Sequence, residues 1–300
     1  MKNLIFAILL TVYTGVVSAK PILVSIIWPF SVGDTQAQYS RSLIEELNKM
    51  QDKYQFIFEN KPGAGATIAA RHVASNPNTI LSASTAFFVR PNFYPNESHN
   101  IFEFRPLMTQ CSAPMVIVSK KYSSWNEIPK DAKINIGISG LGATSHLMAL
   151  EIKKIYKNAT PVPYKGTREA SLDAIAGHID LSVAFMGEVE QYIEEKHLYG
   201  LGVTGSTAIK NIQPLETYGF SGVGEIINMH SLIVPKTMPQ DQYAELRNFV
   251  VEAAKSPAVQ KAYNSDYCQP SSLDLPKTQR WFSKQVEFWR RLSQDVKLDK

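Results

Sequence analysis

Gly137-Ile138-Ser139-Gly140-Leu141-Gly142-Ala143-Thr144-Ser145-His146 is the stretch whose conformation sets the organisation of this chain. An apolar run, Ile134 to Ile138, precedes it, and Leu147, Met148, Leu150, Ile152 and Ile155 follow at three- to four-residue spacing. The pattern predicts a strand, a glycine-rich turn and a helix, with Thr144 and Ser145 in the first helical turn. Glycine has no Cβ and tolerates positive φ, so such a turn brings the backbone close to a ligand. The helix start adds unpaired N–H groups and a partial positive charge, which suit a carboxylate or a phosphate. Two readings stand: half of an anion-binding cleft, or an ordinary strand-to-helix turn, since most such turns bind nothing.

The same unit recurs upstream. Ile22 to Trp28 is an apolar, β-branched run that ends in Pro29-Phe30-Ser31-Val32-Gly33-Asp34-Thr35. A helix follows, with Tyr39, Leu43, Ile44, Leu47 and Met50 on one face. Tyr54 to Phe58 is a second strand, followed by Asn60-Lys61-Pro62-Gly63-Ala64-Gly65-Ala66-Thr67 and a small-residue helix to about Ser75. Thr79 to Ala83 is a third, ending in Ser84-Thr85-Ala86-Phe87. Ligands of open parallel sheets gather at such carboxyl strand ends.

After a short strand, Met115 to Val118, the pattern restarts at Ile134. Pro161 to Gly166 leads into a helix over Arg168 to Ala176; Ile179 to Phe185 is a strand, Glu188 to Lys196 a helix and Tyr199 to Thr204 a strand. Gly205 to Met229 has little periodicity, and Leu232 to Val234 is a short strand. The C-terminal part is helical. Pro239 opens a helix with Tyr243, Leu246, Val250 and Ala253 on one face, and Ser256-Pro257 is an N-cap with proline at N1. Phe282, Val286, Trp289 and Leu292 form a stripe expected to pack on the first series. The expected fold class is therefore α/β, in two lobes: residues 20–116 plus 231–300, and residues 117–230. Met115 to Val118 and Leu232 to Val234 would be the hinge strands that absorb a closing rotation.

Residues 1–19 have the layout of a secretion signal: Lys2, an apolar core from Leu4 to Val12, then Val17-Ser18-Ala19 at the cleavage site. That core is too short to span a bilayer, and no later stretch reaches the roughly 20 apolar residues a membrane helix needs. The mature chain is expected to start at Lys20, without a lipid anchor and not embedded in a membrane. Without Lys2 the net charge falls from +4 to +3, too weak and too evenly spread to indicate nucleic acid. A composition of 44% hydrophobic and 19% charged residues is that of a globular protein, and its length favours two cores over one. Cys111 and Cys268 fit no metal spacing and no catalytic motif. They form a disulfide only if the fold brings them together, which sequence does not decide.

The motifs, taken together, resemble the Bug-type (tripartite tricarboxylate transporter) periplasmic solute receptors. The matching segments are Trp28-Pro29-Phe30 with Gly33, Glu59-Asn60-Lys61-Pro62-Gly63-Ala64-Gly65, Gly137 through His146, Val162-Pro163-Tyr164-Lys165-Gly166, Gly177-His178-Ile179-Asp180 and Val203-Thr204. They run through nearly the whole mature chain. The resemblance implies a type II periplasmic binding protein, a monomer whose lobes close like a flytrap on a small organic carboxylate. It implies no cofactor, no metal and no catalysis, a periplasmic location, and membrane permease subunits as partners. On lobe one it implies ligand contacts from Phe30, Ser31, Gly33, Asp34 and Thr35, with Gly65, Ala66, Thr67, Ser84 and Thr85 on the same wall. On lobe two it implies Ser139, Gly142, Ala143, Thr144, Ser145 and His146, with Tyr164 and Ala184 nearby.

Some positions depart from that pattern. Asp34 stands where the resembled family has a second glycine, Ala37 where an acid is usual, Val183-Ala184 where Phe-Asp or Phe-Asn is common, and Phe87 where a polar residue is common. Asp34 would repel a carboxylate. It is expected to cap the following helix or to face a cationic group, as in an amino acid or a polyamine-like ligand. His146 either touches the ligand or braces the turn. Arg90 and Arg168 are candidate counter-ions, whereas Lys165 reads as a surface charge. Trp28, Phe30, Phe87 and Phe185 lean towards a ligand with an apolar or aromatic portion.

Two other functions compete. A receptor read by a sensor kinase has the same sequence requirements. An exported hydrolase would need Gly-x-Ser-x-Gly around Ser139, but position 141 is Leu, and no acid–histidine pair is placed by a motif.

Overall fold

The computed structural model describes residues 20–220, 223, 226–271 and 274–295, so the expected signal segment lies outside the described residues. The chain begins with β1 (Ile22–Trp28), α1 (Ala37–Met50), β2 (Tyr54–Asn60), α2 (Thr67–Ala74), β3 (Thr79–Ala83), α3 (Ala86–Phe93) and β4 (Phe104–Ala113). It continues through β5 (Met115–Ser119), β6 (Ile134–Ile138), α4 (Thr144–Ile155), β7 (Ala159–Pro163), α5 (Thr167–Ala176), β8 (Leu181–Phe185), α6 (Met186–Glu194) and β9 (Tyr199–Val203). It ends with β10 (Asn228–Pro235), α7 (Gln240–Ala254), α8 (Pro257–Asn264), β11 (Gln269–Pro270) and α9 (Leu275–Asp295).

Two mixed sheets result, ordered β11-β4-β10-β3-β1-β2 and β7-β6-β8-β5-β9. In the first, β2, β1 and β3 are parallel, with Ile22 opposite Tyr54 and Trp28 opposite Asn60, whereas β10 runs antiparallel to β3 and β4. In the second, β7, β6 and β8 are parallel and β5 runs antiparallel to β8 and β9. Each parallel trio is fed by crossover helices, as parallel pairing requires. The helix N-termini therefore collect at the carboxyl edges of both sheets.

Local patterning accounts for most elements. Tyr39, Leu43, Ile44 and Leu47 of α1 are buried as their spacing requires, while Met50 ends exposed. Ser256 accepts a hydrogen bond from Val259 N at 3.3 Å and caps α8, with Pro257 at N1. Trp289 is buried, and Phe282 with Trp281 packs edge-on against Phe88 of α3, at 5.2 and 5.6 Å between ring centroids. The side chain of Leu292, expected in the same stripe, lies outside the described set. The long C-terminal helix thus returns to the first sheet.

Two elements lack a sequence signal because a proline interrupts each. Pro106 sits inside β4, where it removes a ladder donor. The strand survives because β10 shifts register opposite it, between Leu232 and Ile233, and the Pro106 carbonyl accepts from Tyr243 Oη at 2.8 Å. Pro91 sits inside α3 and leaves the Phe87 carbonyl, four residues back, without its helical donor. His99 Nε2 supplies that bond at 2.9 Å, so its proton is on Nε2. Burial pushes this imidazole down to about 4 and keeps it neutral.

The expected hinge needs correction in its details. Met115 to Val118 belongs wholly to the second sheet, between β8 and β9, and Leu232 to Val234 wholly to the first. The chain changes sheet at Pro114 and between Val203 and Asn228. These crossings are stitched together by Met115 N donating to Thr204 Oγ1 at 2.9 Å and Thr204 N donating to Met115 O at 2.8 Å. Cys111 of β4 and Cys268, just before β11, are joined by a disulfide with their Cα atoms 5.4 Å apart. Among the described residues no helix is long and apolar enough to cross a membrane.

Candidate functional site

The carboxyl edges of the two sheets face each other across a closed cleft. At its centre is a cavity of about 20 Å³, room for about one water molecule. Phe30, Asp34, Ser84, Ser139, Ala143, Thr144 and Ser145 line it, seven of the residues that the resemblance implied. Both anchor turns, residues 30–35 and 139–146, therefore contribute to one cavity. The first amides of α4 have no intrahelical partner by construction. They belong to Thr144 and Ser145, and both residues face this space. Ser139 N and Oγ meet Ser145 Oγ at 2.9 and 2.8 Å, which knits the turn to the helix start.

The remaining implied residues shape the cleft from outside the cavity. His146 Nδ1 accepts from Gly142 N at 3.1 Å, so the ring braces the turn, and burial pushes its pKa down to about 4. Thr85 Oγ1 accepts from Met229 N at 2.7 Å and donates to Ile227 O at 3.2 Å, which ties α3 to the approach of β10. Ser31 Oγ donates to Glu169, and Thr35 N donates to Glu188 at 3.4 Å, both across the cleft. Gly33 packs against the Arg168 stem, and Gly65 against Arg90 and the Leu141 carbonyl. Ala66 and Thr67 are buried at the start of α2. Tyr164 turns away and donates to Asp173 at 2.7 Å. Ala184 is buried inside β8, paired with Val116.

The counter-ion candidates do not line the cavity. Arg90 Nη1 donates to Leu141 O at 2.5 Å and works as a clasp between the lobes. Arg168 and Lys165 are exposed. Phe87 packs with His99 and Phe104 in the core and not in the cavity.

Asp34 is the largest departure from expectation. The helix after it, α1, has Gln36 at its N-cap and no side-chain cap. The Asp34 carboxylate instead crosses the cleft to the start of α5, where it accepts from Arg168 N at 3.5 Å. It is 3% exposed. A Cβ on Gly166 would stand 2.5 and 2.7 Å from its two oxygens, so only glycine admits this approach. Asp266 does the same for α6: it accepts from Gly187 N at 2.9 Å, and also from Tyr39 Oη at 2.8 Å and from Gln36 Nε2. Glu188 is buried beside both acids.

Sequence reasoning passed over Gln36, Ala86, Met115, Thr167, Asn228 and His230, and named Trp28 and Phe185 only for their aromaticity; all line the cavity. Asn228 accepts from Thr144 Oγ1 at 3.2 Å and meets His230 Nε2 at 2.9 Å, while His230 stacks on Trp28. Nothing local marks them, since they enter from the far end of an antiparallel strand.

The buried acids make stability depend on pH. Burial, then the neighbouring Glu169 carboxylate, pushes Asp34 up to about 8; burial lifts Asp266 to about 6 and Glu188 well above its ordinary range. The unfolded chain releases these protons near pH 4 while the folded chain keeps them, so folding loses stability as pH rises from about 4 to about 8. Buried His99, His146 and His230, held down to about 4, 4 and 3, act the other way, but their effect is complete above pH 6.5. Chemical denaturation should therefore show stability falling between pH 6.5 and 8.5, by roughly 2 kcal/mol from Asp34, because the loss from Asp266 is complete near pH 6. Asp34→Asn should flatten that limb; an unchanged slope would place the titration elsewhere.

Among the described residues no cluster of His, Cys, Asp and Glu is arranged to hold a metal ion. The solved structure of the periplasmic binding protein BugD superposes with a TM-score of 0.83, covering 91% of this chain and 97% of its own at 23% identity. MatC from Rhodopseudomonas palustris with bound malate superposes at 0.81, covering 91% and 99% at 18% identity. Protein BugT of Bordetella pertussis is 23% identical over 289 residues, 90% of this chain and 87% of that one. Two α/β lobes around a cleft are thus the shared architecture. The model of the tripartite tricarboxylate transporter family receptor matches residues 40–298, and the chain belongs to that family.

Proposed function

We propose that this protein is a periplasmic solute-binding receptor, exported by residues 1–19, that captures a small organic carboxylate between its lobes and delivers it to the permease of a tripartite tricarboxylate-type transporter. The observation that carries this reading is the convergence of Thr144, Ser145, Ser139 and Ser84 on one interlobe cavity, with the open first turn of α4 supplying amide donors for an anion. Malate in MatC and adipate in a second R. palustris relative of the same fold are small carboxylates of this kind. Ligand contacts with both lobes favour the closed form by differential affinity, and the permease reads that form. The reading is non-enzymatic: Ser139 Oγ is engaged by Ser145, and His146 by Gly142.

A thermal-shift screen against mono-, di- and tricarboxylates, amino acids and aromatic acids tests it. A ligand at 100 times its Kd adds about 2.7 kcal/mol to stability, a rise of several degrees in Tm. Small-angle scattering should then show compaction on binding. If no carboxylate of any class raises Tm or compacts the protein, the receptor reading fails.

A further inference from the structure

Three helices of the second sheet, α4, α5 and α6, begin at the cleft, each with unpaired amides and partial positive charge in its first turn. Two of these ends are already occupied by carboxylates from the first lobe. Asp34 accepts from Arg168 N of α5, and Asp266 from Gly187 N of α6. Of the three, α4 alone turns its first residues to the cavity with no acid against them among the described residues. Among the described residues no lysine or arginine lines that cavity, whereas Asp34 does. His230 lines it too, 1% exposed, and its Nδ1 has no partner among the described residues. A buried polar atom left in this way, on a residue of the cavity wall, calls for a partner that the described residues do not supply.

We propose that the ligand is a small zwitterion, an amino acid in chemical class, whose carboxylate sits on the first turn of α4 and whose ammonium group meets Asp34. This assignment rests on the receptor reading and narrows it. A second carboxylate at the Asp34 end would join a desolvated cluster of acids, Asp34, Glu169, Glu188 and Asp266, where added negative charge is disfavoured and Asp34 must stay protonated. An ammonium there gains a charge-assisted hydrogen bond. Asp34 is thus the specificity-determining residue, and it selects against dicarboxylates. The groups facing it are Arg168 and Glu169 of α5, Glu188 of α6 and Asp266 ahead of β11. Since burial and Glu169 hold Asp34 up to about 8 in the empty closed form, ammonium binding displaces a proton near neutral pH.

The test is isothermal titration of ligand-stripped, disulfide-intact protein with matched sets: L-alanine, propionate and malonate; 4-aminobutyrate, butyrate and succinate; L-glutamate and glutarate. The expected result is that an amino acid binds roughly 10- to 100-fold tighter than its deaminated and dicarboxylate counterparts. Its binding enthalpy should vary with buffer ionisation, reporting the released proton. Asp34→Asn, with an unchanged circular dichroism spectrum, should abolish that preference, and Asp34→Gly should gain affinity for the dicarboxylate. If plain mono- or dicarboxylates bind at least as tightly as the amino acids, and the Asp34 variants leave that order unchanged, the charge assignment is overturned while the receptor reading stands. If nothing in any set binds, the receptor reading falls and takes the assignment with it.

Discussion

Gly142→Val is expected to yield a folded protein whose affinity for its ligand is reduced at least about 100-fold. The residue holds φ at +77°, and a Cβ there would lie 3.2 to 3.3 Å from the Cα, Cβ and Cγ of Arg90 across the cleft. One of those atoms is helix backbone, so a side-chain rotation does not relieve the contact. Two further close approaches depend on the same alignment: Arg90 Nη1 on Leu141 O at 2.5 Å, and Gly65, where a Cβ would meet that carbonyl at 2.9 Å. Valine therefore holds the lobes apart. If only 1% of molecules remain able to close, the apparent Kd rises about 100-fold. The cost to folding is smaller, roughly 1–2 kcal/mol for a side chain at positive φ, because neither sheet passes through the turn. Titration calorimetry, paired with a melting curve, separates the two effects. A Gly142→Val protein that binds like the wild type would show that closure does not run through this turn.

Replacing both cysteines, Cys111→Ser with Cys268→Ser, should lower stability by about 2–5 kcal/mol. The bond spans 157 residues of sequence and removes much loop entropy from the unfolded chain. In a chain of this size that corresponds to a fall in Tm of roughly 5–15 °C. Calorimetry of the double variant against the oxidised parent checks this. The loss should also reach the cleft. Cys268 pins the segment after α8, two residues beyond Asp266, whose carboxylate holds Tyr39, Gln36 and Gly187 together. Ligand affinity should therefore fall as well. A variant with unchanged Tm would mean that the native fold already holds the segment without the bond.

Elements whose evidence lies in neighbouring residues were legible in the sequence. The strand, turn and helix around residues 134–155 is announced by an apolar run, three glycines and a helical repeat. The buried face of α1 and the Ser256 cap of α8 follow in the same way. β4 and α3 were not legible, since Pro106 and Pro91 end a local reading. Each proline is tolerated because a distant group, Tyr243 or His99, meets the carbonyl it strands or adjoins.

For the cleft the division is similar. The Gly137–His146 turn and its hydroxyls could be read from one stretch of chain, because a glycine turn and a helix start are short-range structures. The role of Asp34 could not. Its local rule predicts a cap on the helix that follows, yet the carboxylate finds a helix end 134 residues away that only lobe closure brings near. Cys111 and Cys268, and Asn228 and His230 at the cavity, belong to the same kind. The sequence by itself determined the two series of strand–turn–helix units and the turn chemistry at their strand ends. Only the tertiary structure decided which of those ends stay open to a ligand, because that depends on charges and backbone groups meeting across the cleft, and no local period encodes such a meeting.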